Sequence, residues 1–305
     1  MNKFIRMFNR NQKIIIFAII GILFLVLILQ ALNSFSKKEQ EKEKTNNVIR
    51  NNLTRSSISD EEMTESIYNY NKNVIEEFTE YCNSGDIKSA YDLLSSDCKN
   101  LMFDDLEKFK DNYYKKVFSS NKKCTVQYWA DNIFEVKFAE DMLATGKTSK
   151  NNGFTDYIAI DYEDGKNKIN INGFLGKENI NAEKMIGNIK IKVLYKYIFM
   201  DYETYSVQII NNRDQTICLD NLNKSGTMYL LDQKDVKHYA MSNEIVKDEL
   251  IVKSKQESVA NIKFNNPYIK DRKINEIVFS NIIIGYTDNN PDGSDILNVD
   301  IEINN

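Results

Sequence analysis

Proline is nearly missing from this chain, with 2 in 305 residues, so no rigid Pro-rich spacer separates its parts. Histidine occurs once, as His238, and most zinc sites, Ser-His-Asp triads and Cys-His dyads therefore lack their parts. His238 stands in the polar stretch Lys237-His238-Tyr239 and reads as a surface residue. A Gly-rich phosphate loop is also missing: Gly173 and Gly176 are not followed by Lys-Ser/Thr at the required spacing. Asp288, Asn289, Asn290, Asp292 and Asp295 surround Gly293, but the Glu that closes an EF-hand loop is not there, and the segment reads as a solvated turn. These gaps lead us to expect no metal, no cofactor and no catalytic residue.

Negative charge outweighs positive charge outside the N-terminus. The net charge is −4, and Lys3, Arg6, Arg10 and Lys13 contribute four positive charges with no acid among them, so the rest stands at −8. Such a surface repels phosphate, and nucleic acid is not expected as a partner.

What is present begins with one long apolar run. Residues 14–32 carry no charge. At about 1.5 Å rise per residue they match the roughly 30 Å hydrocarbon core of a bilayer. No small-x-small cleavage site follows, and the first cysteine after the run is Cys82, which disfavours a cleaved or lipidated signal. We expect a leader at 1–13, a transmembrane helix at 14–32 that contacts the lipid bilayer, and a charged stalk at 33–58. The basic leader predicts a cytoplasmic N-terminus with the C-terminal region outside a cell membrane crossed once.

Beyond the stalk, Ser59 and Glu62 form a capping box, and Met63, Ile67, Tyr70, Val74, Phe78 and Tyr81 recur at helical spacing. Ser84-Gly85-Asp86 breaks this helix and caps a second with Ile87, Ala90, Tyr91 and Leu94. A third starts near Asp104, with Leu106, Phe109, Tyr113 and Val117 on one face. The period then becomes two: strands are expected at 125–130, 133–140, 154–161 and 168–174, with turns at Asp131-Asn132 and Asp164-Gly165. This pattern predicts an α+β domain over 59–176. After a connector at 177–187, seven or eight short strands predict an all-β sandwich over 188–305.

The helix, its Gly-Asp break, the segment Ser-Ala-Tyr-Asp-Leu-Leu-Ser at 89–95, Leu-Glu-Lys-Phe at 106–109 and the following strands resemble the NTF2-like (cone) fold. Tyr-Ser-Val-Gln-Ile-Ile-Asn-Asn at 205–212 followed by Thr-Ile-Cys-Leu-Asp at 216–220 is similar to immunoglobulin-like domains of bacterial surface proteins. The first resemblance implies a cone that holds a ligand in some relatives, faced here by Tyr91, Tyr128, Trp129, Asp156 and Tyr157. It also implies membrane-anchored scaffolds of conjugation and secretion machines. Fold alone does not choose among these roles.

Disulfides are allowed outside the cytoplasm, and the helical hairpin could bring Cys82 and Cys98 together; buried free thiols are the alternative. The leader is too short for an effector domain. We therefore expect a membrane-tethered, extracytoplasmic scaffold that binds envelope proteins, with a small-ligand or peptide carrier using the cone as the alternative.

Overall fold

The computed structural model describes residues 63–140 and 153–303. The apolar run 14–32, the stalk 33–58 and the Ser59–Glu62 box lie outside the described residues. No helix among those described is long and apolar enough to cross a membrane.

Helix α1 (Glu65–Ser84) starts at Thr64, whose hydroxyl accepts from the Ile67 amide. Gly85 ends it at φ 78, where a side chain would be strained. Its buried face is Asn71, Val74, Ile75, Phe78, Thr79 and Cys82. This corrects the expected stripe: Tyr70 is exposed, and Asn71 turns inward because its side-chain carbonyl accepts from the Asn167 amide at 2.6 Å. Asp86 caps α2 (Ile87–Asp92) as expected. Ser95 caps a helix that the periodicity did not reveal, α3 (Ser96–Met102). The last helix, α4, runs from Leu106–Phe109 through a π turn at Lys110–Tyr114 to Lys115–Val117.

The rest is mostly antiparallel strand. A first sheet has the order β1 (Lys122–Ala130), β2 (Ile133–Glu140), β3 (Phe154–Glu163) and β4 (Lys166–Asn170). Asp131 at φ 50, and Asp164 and Gly165 at φ 51 and 80, place both expected turns. The helices cover one face of this sheet in a shared core. Phe78, Phe103, Phe109, Tyr113, Phe134 and Phe138 are fully buried there, each contributing about 1.5–3 kcal/mol by burial.

Residues 177–187, expected as a connector, are instead strand and turn. Strand β5 (Phe174–Ile186) pairs antiparallel along its length with β6 (Ile189–Phe199). The pair continues into β7 (Glu203–Asn211) and β12 (Glu257–Phe264), giving the order β12-β7-β6-β5. The polar residues of β5 that suggested a linker, such as Glu178, Asn179 and Glu183, belong to an edge strand with one solvated face.

A third sheet packs against this one. It is built from β8 (Ile217–Cys218), β9 (Met228–Asp232), β10 (Lys237–Tyr239), β11 (Ile251–Val252), β13 (Ile274–Ile284) and β14 (Asp295–Glu302). The second core lies between these two sheets, with Ile189, Ile191, Tyr205, Val207, Leu230 and Phe279 among its fully buried side chains. Strands β10 and β14 were not foreseen. Asp295, expected in a solvated turn, opens β14.

A bulge in β6 decides how the halves meet. Ile189, Ile191 and Val193 face the second core, but the register with β7 shifts between Val193 and Tyr195. The extra residue reverses the side-chain alternation. Tyr197 and Phe199 therefore pack on the helical core, and Lys196 lands on the opposite side. Lys196 there meets Glu178 at 3.1 Å and Glu203 at 3.5 Å, and Glu203 also accepts from Tyr205 and Asn266. Burial works to lower the Lys196 pKa, but the Glu203 and Glu178 carboxylates outweigh it and hold the ammonium above its ordinary value.

His238 is buried, contrary to the surface position expected. Its Nε2 lies 3.1 Å from Asp232 Oδ2. Asp232 also accepts from the Lys234 and Val236 amides, so the imidazole completes the turn between β9 and β10.

Candidate functional site

The five residues expected to face one cone do not line one space. Asp156, on β3, is buried inside the helical core, where it accepts from the Tyr113 hydroxyl at 2.7 Å and from the Asn172 and Gly173 amides at 2.8 and 2.9 Å. Burial raises its carboxyl pKa against the lowering effect of these hydrogen bonds. Tyr91 is half-buried at the edge of the same core, its hydroxyl donating to the Phe103 carbonyl and its ring against Phe109. Tyr128 packs on Phe134.

Trp129 and Tyr157 are elsewhere. A register shift between Tyr128 and Ala130 puts Trp129 in a bulge, and Tyr157 alternates with Asp156 along β3. Both belong to the back of the first sheet, where Trp129 meets Tyr157 at 6.0 Å and Tyr268 at 5.7 Å. Tyr268 also donates to the buried carboxylate of Asp131, which ties the segment after β12 to the first turn of the sheet. Between helices and sheet, aromatic rings fill the space: Phe109 stacks on Tyr113, and Phe78 touches Phe109, Tyr113 and Phe118.

Cys82 and Cys98 are free thiols, each buried, so the pairing considered from sequence is not formed. Burial pushes the Cys98 thiol up to about 12 and raises that of Cys82 further. Among the described residues, no group of His, Cys, Asp or Glu side chains is placed to hold a metal ion.

An open groove of about 630 Å³ lies between the helices and the β12-β7-β6 face. One wall comes from α3 and α4, with Leu101, Met102, Phe103, Asn112 and Lys116. The other comes from Tyr195, Tyr197, Thr204, Asn261 and Lys263. Cross-strand register aligns the second wall: Tyr197 opposes Thr204, which opposes Lys263. Asn172 closes one side, held at φ 58 by the Asp156 carboxylate.

One aromatic ring in this groove is covered on both faces. Tyr202 stacks on Phe199 at 4.4 Å and carries the Lys263 ammonium on its ring at 3.5 Å. Lys177 lies over Tyr195 at 4.4 Å and Tyr197 at 5.7 Å. Burial, with the charge and hydrogen bond of Tyr195 adding to it, pushes the Tyr197 hydroxyl up to about 12. The side-chain amides of Asn112, Asn172 and Asn261 are exposed and hydrogen-bond to no other described residue. Lys116 is exposed and has no ion pair among the described residues, whereas Lys263 pairs with Glu244 at 2.6 Å. The bulge in β6 that exposes Tyr195 and Tyr197 has no signature in the alternating sequence, which is why sequence reasoning missed this site.

No protein-family model, curated protein or solved structure matches this chain.

Proposed function

We propose that this chain is a membrane-tethered, extracytoplasmic scaffold or protein-interaction module of a bacterial envelope assembly, without catalytic activity, and that partners dock in the groove between the helices and the β12-β7-β6 face. In this reading 14–32 is the anchor, the N-terminus is cytoplasmic, the helix-covered half is NTF2-like and the sandwich is immunoglobulin-like. The observation that carries it is the groove itself, whose exposed side-chain amides are held by paired strands and capped helices. The helices covering one antiparallel sheet and the two sheets enclosing a second core support the finer fold assignments. Conjugation and secretion machines are the settings that the NTF2-like resemblance implies.

A small-ligand or peptide carrier is the second reading. The groove's volume falls in the range of ligand clefts, about 300–1,000 Å³, and supports it. With aromatic rings filling the helical core, such a ligand would sit in the groove and not in a cone.

Crosslinking in native membranes, followed by mass spectrometry, tests the scaffold. Specific protein partners joined through residues 63–303 are expected. Recovery of this chain alone, with a small molecule retained through purification, would replace the scaffold with the carrier.

A further inference from the structure

We propose that the groove binds an acidic, extended peptide segment of a partner protein; this rests on the docking role proposed above. The first argument is charge. The chain is net acidic at −4, yet the groove is lined by Lys116 and Lys263 and by no carboxylate. The two lysines come from opposite walls, one from α4 and one from β12, and with Glu244 on Lys263 and Glu249 at the Asn261 amide the attraction for an anionic side chain comes chiefly from Lys116. Lys263 shares its charge with Glu244, which leaves Lys116 as the less compensated of the pair.

The second argument is hydrogen-bonding geometry. A carboxamide offers both a donor and an acceptor, which complements the N–H and C=O of an extended main chain. Asn112, Asn172 and Asn261 provide three such groups around the groove, none engaged with another described residue. Leu101 and Met102, both partly exposed, add apolar surface for alternate side chains of an extended segment.

The third argument separates peptide from glycan. Sugar platforms use open aromatic faces. Here Tyr202 is enclosed between Phe199 and Lys263, and Lys177 covers Tyr195. With both faces of Tyr202 occupied, that ring offers no stacking platform, which suits a peptide better than a pyranose.

The test uses the full chain in lipid nanodiscs and fluorescence anisotropy. One labelled probe peptide alternates Glu with Leu and Phe; a second carries Lys in place of each Glu. The acidic probe should bind about tenfold or more tightly than the basic one, with affinity falling as salt rises. Lys116→Glu should weaken the acidic probe by roughly fivefold or more, as should Lys263→Glu, while Lys123→Glu on β1 leaves it unchanged. Circular dichroism establishes that each variant is folded. Equal affinity for both probes, or indifference to both groove substitutions, would overturn the proposal. So would an anionic oligosaccharide that binds more tightly than the acidic peptide, which would assign the groove to a glycan. Photo-crosslinkers placed at Asn112 and at Val236 separate this proposal from the scaffold role. Partners captured from Val236 but never from Asn112 would remove the groove and leave the scaffold standing, whereas no partner from either position would sink the scaffold.

Discussion

The Tyr113 hydroxyl donates to Asp156 Oδ2 at 2.7 Å inside the helical core, with both residues buried. This bond joins α4 to β3. The same carboxylate holds the Asn172-Gly173 turn, so one buried acid fixes two borders of the groove. The residue expected to sit in a ligand cone therefore has an architectural position.

Asp156→Ala should lower the free energy of unfolding by about 3 kcal/mol, because one hydroxyl and two amides lose a buried acceptor. Asp156→Asn keeps one acceptor oxygen and should lose less. Urea unfolding followed by circular dichroism measures both. A change under about 0.5 kcal/mol for Asp156→Ala would mean that the network adds nothing to stability.

The Lys196 network predicts strong coupling. Lys196→Met leaves Glu203, buried, without its cation and should cost roughly 3 kcal/mol. Adding Glu203→Gln removes the stranded charge, so the double variant should be less destabilised than the sum of the singles. Simple additivity in a double-mutant cycle would show that the two groups do not interact.

Asp161 gives a pH dependence. Burial, with Glu163 and Asp97 adding to it, raises its carboxyl to about 6 from the usual 3.8, against the opposing hydrogen bond from the Tyr162 amide. The native state thus holds this proton more tightly than the unfolded chain. The group's contribution to stability is complete below about pH 4 and is lost as pH rises through about 6. Asp161→Asn should therefore be more stable than the parent by roughly 1–2 kcal/mol at pH 7, with the gap closing by pH 4. Parallel stability–pH curves for the two proteins would exclude this origin.

Thiol chemistry tests the cysteines. Burial raises all four, with Cys98 and Cys218 pushed up to about 12. A thiol reagent at pH 8 should label at most Cys124, which is only half-buried, in the native protein. Denaturation without reductant should expose four thiols. Finding two would mean that one disulfide forms, and peptide mapping that joins Cys82 to Cys98 would restore the pairing considered from sequence.

The sequence by itself determined the local elements whose signals are short-range. Gly85 and Asp86 end one helix and start the next because a left-handed stop and a carboxylate cap act within a few residues. Asp131-Asn132 and Asp164-Gly165 turn the chain for the same reason, and the period of two over 133–140 marked the strand β2, whose Phe134, Val136 and Phe138 share one buried face. Tertiary structure alone decided which faces meet. Asn71 entered the core through a partner 96 positions away, at Asn167, which no helical period reports. The polar strand β5 took its place by pairing with β6. The bulge after Val193 turned Tyr195 and Tyr197 toward the helices, although uninterrupted alternation would have kept them with Ile189 and Ile191. A bulge is fixed by the register against a neighbouring strand and by packing on both sides, so it emerges only when distant segments come together.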